Sequence, residues 1–176
     1  MIVRVLFLIS ALCSFSAISA EPIPFDIGGM KIGDKLTEEF AYSHCPAKDE
    51  GKAERTCHKS IKVEGADVFI LYYFDEQKLI SVSLSYKSEI FEEIVGVYTS
   101  KFGQPPHQEK KETVTTNAGV EYTNVIKSWN TTSGEFIVKK YGSGIDKGYA
   151  YLLSSEYEKY LIKKKNERQK ELGGKL

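Results

Sequence analysis

Residues 67–86 read DVFILYYFDEQKLISVSLSY, two apolar runs on either side of the polar turn Asp75-Glu76-Gln77-Lys78. The second run alternates strictly, with Ile80, Val82 and Leu84 separated by Ser81, Ser83 and Ser85. A period of two is the mark of a strand buried on one side only, and the short polar turn predicts a β-hairpin. Pairing outward from the turn sets Phe74 opposite Leu79 and Tyr73 opposite Ile80. In that register Phe69, Leu71, Tyr73, Ile80, Val82 and Leu84 share the expected core face. Ile70, Tyr72, Ser81, Ser83 and Ser85 then share a semi-polar face open to water or a partner.

The elements on either side follow from the same reading. Glu89–Phe102 is the best helical segment: Ile90, Phe91, Ile94, Val95, Tyr98 and Phe102 recur at helical spacing, Ser88 is placed to cap it, and Gly103 and Pro105-Pro106 end it. Its Ile94, Val95 and Tyr98 are expected to oppose the core face of the hairpin. Upstream lie an extended lead-in over Glu21–Ile32, a short helix over Lys35–Ser43 and a strand over Cys57–Val63. Downstream, Gln108–Tyr122 reads as a ragged hairpin around Asn117-Ala118-Gly119. Strands follow over Thr123–Asn130, Glu135–Tyr141 and Gly148–Ser154. The facing of Trp129 stays open, because either register of its hairpin mixes lysines with apolar residues. Ser155–Leu172 predicts a tail helix with a Ser155/Glu158 capping box. The order gives an α+β fold: an antiparallel sheet of two helix-plus-meander units, helices mainly on one face, and a C-terminal helix. The domain spans 21–154, with a charged helix and tail over 155–176. If the second meander continues the same sheet, Tyr149 and Tyr151 extend the semi-polar face.

Composition narrows the class. The chain has 176 residues, 24 basic and 24 acidic side chains, 41% hydrophobic and 12% aromatic residues. Such a balance fits neither a disordered chain nor a general nucleic-acid binder. Met1–Ala20 has a basic start at Arg4, an apolar block from Val5 to Leu12 and small residues up to Ala20, followed by Glu21-Pro22. That is the layout of a secretory signal peptide over 1–20, cleaved after Ala20, which implies a periplasmic or secreted protein. Leu12 before Cys13 argues against lipidation. No later apolar run approaches membrane-spanning length. Cys45 and Cys57 form an even pair in an exported chain, and a disulfide between them is expected. Their neighbours His44 and His58 do not make a metal site, because adjacent strand residues point to opposite faces and the spacing matches no common zinc pattern. No metal and no cofactor is expected.

Candidate chemistry is sparse. His44, His58 and His107 accompany no nucleophile elbow. Glu38/Glu39 and Glu92/Glu93 sit on polar helix faces, whereas a glycosidase needs carboxylates across a cleft. Gly142-Ser143-Gly144 reads as a turn and opens no helix. The tail from Ser155 holds seven basic and four acidic residues, with Lys163, Lys164 and Lys165 consecutive. This gives a second way to bind, on an anionic surface. The expected role is a non-catalytic binding module for another envelope protein, using Ile70, Tyr72, Ser81, Ser83, Tyr149 and Tyr151. The alternatives are a small envelope hydrolase and a peripheral protein docked through its tail.

Gly29-Met30-Lys31-Ile32-Gly33-Asp34, the Cys45/Cys57 pair, Lys101-Phe102-Gly103-Gln104-Pro105, Trp129, Lys140-Tyr141-Gly142-Ser143 and the charged tail together resemble a group of small exported proteobacterial proteins with no assigned function. In architecture the chain is distantly similar to β-lactamase-inhibitor-like and outer-membrane assembly lipoprotein-like modules. The resemblance implies helices on one face of a small antiparallel sheet and recognition of partner proteins. It supplies no catalytic residue.

Export predicts a mature N-terminus at Glu21. Mass spectrometry of the protein from an envelope fraction should give the mass of the chain from Glu21; an intact Met1 would remove the export argument.

Overall fold

The computed structural model describes residues 24–47, 50–116 and 118–173; the expected signal peptide, its expected cleavage point and the end of the tail lie outside them. The elements are α1 (Glu38–His44), β1 (Glu54–Val63), β2 (Ala66–Asp75), β3 (Lys78–Lys87), α2 (Phe91–Phe102), β4 (Gln108–Thr115), β5 (Glu121–Thr131), β6 (Gly134–Gly144), β7 (Lys147–Ser154) and α3 (Ser155–Gly173). The seven strands form one antiparallel sheet in the order β1-β2-β3-β7-β6-β5-β4. Two meanders therefore meet through β3 and β7, and the fold is α+β as expected.

The hairpin that set the expected facing contains a break. Its turn is tight, with Asp75 paired to Lys78 and positive φ at both Glu76 and Gln77, the twist a two-residue hairpin turn requires. Phe74 pairs with Leu79 as read from the sequence. Tyr73, however, pairs with Ser81, so Ile80 is an extra residue in β3. A one-residue bulge exchanges the faces of everything beyond it. Val82 and Leu84 remain core, but their partners on that face are Tyr72 and Ile70. Val68, Ile70, Tyr72 and Phe74 are buried, while Phe69 is 55% exposed. The expected core set is thus corrected: Phe69, Leu71 and Tyr73 lie on the other face, and Ile80 lines the groove beneath α3. The sequence carried one trace of the break, the adjacent apolar pair Leu79-Ile80 ahead of an alternating run.

One face of the sheet is covered. The side chains of α2 pack over β6 and β5, with Tyr98 4.4 Å and Phe102 6.0 Å from Phe136 between ring centroids, and Phe102 5.8 Å from Trp129. The lead-in adds Phe25, 5.2 Å from Phe136, and Lys101 ties it down by donating to the Asp26 carbonyl and carboxylate. α1 covers the other half: Phe40 meets Tyr72 edge-on at 5.1 Å, and Cys45 is bonded to Cys57 with their Cα atoms 4.1 Å apart. Cys57 lies directly opposite Tyr72, so the disulfide belongs to the covered face. A loop of this size contributes about 3 kcal/mol by the chain-entropy argument.

Trp129 is fully buried on this face, and its indole N–H donates to the Gln104 carbonyl at 3.2 Å. The lysine that obscured its facing, Lys127, shares the face and escapes along it. Its ammonium lies 5.5 Å from the Phe91 ring centroid and reaches Glu92 at 3.3 Å. Gly148 is needed where it sits, because a Cβ there would overlap the Tyr86 ring lying across it, whose hydroxyl donates to the Lys139 carbonyl.

The helix starts also differ from expectation. Residues 33–36 bond to the β3 hairpin through Gly33 N to Leu79 O and Leu36 N to Gln77 O, so α1 begins only after Thr37, whose hydroxyl caps it. Ser88 donates its hydroxyl to the Ile145 carbonyl rather than capping a helix, and residues 88–90 form a 3-10 turn ahead of α2. The cap of α3 is Ser154, one residue before the expected Ser155: its hydroxyl accepts from Tyr157 N at 3.1 Å.

The facing predicts a sharp contrast in stability. Leu84→Ala should lose about 2–5 kcal/mol in urea unfolding followed by Trp129 fluorescence, and Phe69→Ala less than about 0.5 kcal/mol. The opposite ranking would mean an unbulged ladder.

Candidate functional site

The uncovered face is built from alternate residues of the central strands. Cross-strand pairs place Tyr73 beside Ser81, Leu71 and Tyr151 beside Ser83, and Phe69 and Tyr149 beside Ser85. Ile137 and Lys139 continue it beyond Tyr151 and Tyr149. The middle strand thus contributes only hydroxymethyl groups, flanked on both sides by large side chains. Those neighbours close over the serines: Ser81 is 4% and Ser83 2% exposed. Among the described residues Ser83 Oγ makes no well-formed hydrogen bond; its polar neighbour is the Tyr73 phenol, whose pKa burial raises and Ser83 lowers.

Of the six residues expected on this face, the structure brings together Ser81, Ser83, Tyr149 and Tyr151. Ile70 and Tyr72 are on the covered side. Tyr72 is buried, its hydroxyl is 3.5 Å from the Ile27 carbonyl, and burial pushes its pKa up to about 12. Their places are taken by Phe69, Leu71 and Tyr73. The signal that could have found these residues is the disulfide. The Glu64-Gly65 turn sets Cys57 opposite Tyr72, and a cysteine bonded to a helix must face that helix.

α3 crosses one end of the face. Ser154, fully buried, donates to the carbonyl of the bulged Ile80 at 2.6 Å while capping the helix. Tyr157 lies 6.3 Å from Tyr73 and stacks on Tyr160 at 6.0 Å. The Tyr160 hydroxyl donates to Glu54 at 2.9 Å, and Lys164 pairs with the same carboxylate. Lys163 reaches Glu76 at 3.6 Å and Asp75 at 3.8 Å. Two of the three consecutive lysines therefore hold the helix to the sheet. A groove of about 490 Å³ lined by Tyr73, Ile80, Tyr157 and Tyr160 remains beneath it. Phe69, Tyr149 and Tyr151 lie outside these contacts.

The histidines do not converge. His44 packs on Phe40 at 4.6 Å, His58 is exposed on β1, and His107 Nε2 is 3.9 Å from Glu135 at the surface. Among the described residues no three His, Cys, Asp or Glu side chains group as metal ligands, and no helix is long and apolar enough to cross a membrane. No protein-family model, curated protein or solved structure matches the chain.

The hold on α3 is pH-dependent. The Lys164 and then the Tyr160 hydrogen bonds lower the Glu54 pKa below its ordinary value of 4.5. A depressed carboxylate favours the docked helix above that ordinary value, and the contribution is lost as pH falls through the lowered one. Amide exchange over Tyr157–Lys164, corrected for intrinsic rate, should accelerate between about pH 6 and a pH well below the ordinary carboxylate value while α2 stays protected. Glu54→Gln should show the acid behaviour at the higher pH. Equal protection at both would remove Glu54 from the contact.

Proposed function

We propose that this protein is an exported, non-catalytic binding module that holds another envelope protein against the uncovered sheet face. The observation that carries the reading is the contiguous row of Phe69, Leu71, Tyr73, Tyr149 and Tyr151 on the side away from α1 and α2, with Phe69 more than half exposed. Large aromatic side chains beside small hydroxyls supply area at low entropic cost and form typical interface anchors. The Cys45–Cys57 bond supports an oxidising compartment, in keeping with the leader-like start of the chain. Docking through the tail alone is disfavoured, because Lys163 and Lys164 are already paired with Asp75, Glu76 and Glu54.

A photo-crosslinking residue tests the face directly. Phe69 and Val97 are similarly exposed, 55% and 47%, on different sides of the molecule. In intact cells a crosslinker at Phe69 or Tyr151 should give a discrete heavier adduct, and one at Val97 should not. Adducts of equal yield from Val97, or none from Phe69, would sink the proposal.

A further inference from the structure

At the other end of the uncovered face the sheet opens. Lys139 pairs with Tyr149 and Gly144 with Lys147, so four β6 residues, Lys140 to Ser143, stand opposite Gly148 alone. The β5–β6 ladder also stops, at Ile126 and Lys139. Beyond that point the buried Asn124 side chain takes over the role of a strand. Its Nδ2 donates to the Tyr141 carbonyl at 3.0 Å and to Glu112 Oε1 at 3.1 Å, and its Oδ1 accepts from Tyr141 N at 2.9 Å. Every hydrogen bond of the amide is internal, so the bulge is held open by a fixed clamp rather than by chance loop geometry. Bulges of this kind re-aim side chains beside functional sites.

The opening is a groove of about 420 Å³, lined by Glu112, Asn124, Lys139, Tyr141, Tyr149 and Tyr151 among others. Its size is that of a small-molecule site. Tyr149 and Tyr151 stand 5.7 Å apart at 33° and form an aromatic wall. Lys139 Nζ lies 5.7 Å from the Tyr151 ring centroid, and among the described residues no carboxylate pairs with it. Glu112 Oε1 is occupied by Asn124, and Oε2 is only loosely held, 3.8 Å from Lys110. An ammonium donor, a carboxylate acceptor and tyrosine faces thus line one groove. The two opposite charges offset each other: an anion drawn to Lys139 is repelled by Glu112, a cation the reverse, and either would have to be desolvated. A neutral ring with one C–H face and a rim of hydroxyls matches all three features: its C–H face lies on tyrosine, and its hydroxyls donate to Glu112 and accept from Lys139.

We infer that this groove binds a neutral pyranose sugar unit. The site shares Tyr149 and Tyr151 with the docking face, but it depends on Lys139 and Glu112, which the docking reading does not use.

The test is a titration of isotopically labelled protein with methyl glucopyranoside, galactopyranoside and mannopyranoside, followed by amide shifts. Sodium glucuronate and glucosamine are the charged comparators. At least one neutral glycoside should give saturable shifts at Lys139, Tyr141, Tyr149 and Tyr151 with a millimolar Kd, and the charged sugars should bind at least tenfold more weakly. Lys139→Ala, Tyr151→Ala and Glu112→Gln, the last keeping an acceptor for Asn124, should each weaken binding at least tenfold, with Val97→Ala neutral. Lys139→Ala alters a partly exposed side chain, so the test does not depend on Tyr151→Ala folding. Absence of saturable shifts, equal affinity in Lys139→Ala, or equal affinity for the charged sugars would each overturn the inference. Crosslinking at Phe69 reports on docking independently, so either reading can fail without the other.

Discussion

Ile80 is the residue on which the arrangement of this sheet turns. Its insertion between the Tyr73–Ser81 and Phe74–Leu79 pairs sets which half of β2 meets the helices. The bulged carbonyl would otherwise lack a ladder partner, and Ser154 supplies it with a hydroxyl from the end of β7. That hydroxyl also accepts from Tyr157 N, one of the free amides in the first turn of α3. One buried oxygen therefore satisfies the defect in the first meander and starts the helix that leaves the second. A bulge, a strand end and a helix cap are fixed together, and α3 has one possible point of departure.

The two faces of the sheet owe their difference to this junction. On the covered side the bulge aligns Val68, Ile70, Tyr72 and Phe74 with α1, the disulfide and the lead-in. On the other side it sets Phe69, Leu71 and Tyr73 around a serine strand, with Tyr149 and Tyr151 opposite. Only one end of that second side is roofed, by Tyr157 and Tyr160, and ion pairs ring the edge of that roof. Apolar packing under α1 and α2 is insensitive to salt and mild acid. Ion pairs at the edge of α3 are not. The protein thus combines a rigid covered layer with a face whose margin responds to conditions.

Local signals in the chain carried much of this. Most strand and helix positions followed from periodicity, the Asp75–Lys78 turn from its polar tetrapeptide, the end of α2 from Gly103, and the disulfide from an even pair of cysteines; the ragged stretch over 108–122 instead divides between β4 and β5. Each depends on residues within a turn or two of one another. The facing of β2 did not follow, because all of Val68 to Phe74 is apolar and either parity makes a credible core. Trp129 was equally ambiguous until Lys127 was seen to run out along the covered face to Glu92. The sequence does not separate Ser154 from Ser155 as the cap of α3, because the two are chemically alike and only Ser154 has the Ile80 carbonyl to bind.

The candidate sites divide along the same line. Tyr149 and Tyr151 stand one residue apart on a predicted strand, and their shared face could be read directly. The clamp of Asn124 on Tyr141, the lysine left without a carboxylate among the described residues and the opening beside Gly142 could not, since they join β4, β5, β6 and β7 across the sheet. By itself the sequence determined the α+β class, the order of the elements, the cysteine pair and the expectation of export. Periodicity, turn chemistry and an apolar leader are local properties of the chain. Only the tertiary structure decided which side of β2 is buried and where the sheet opens. Both depend on a register slip, of one residue at Ile80 and of three between Lys139 and Gly144, and a slip is fixed by what a distant hydroxyl or amide satisfies, not by the residues that slip.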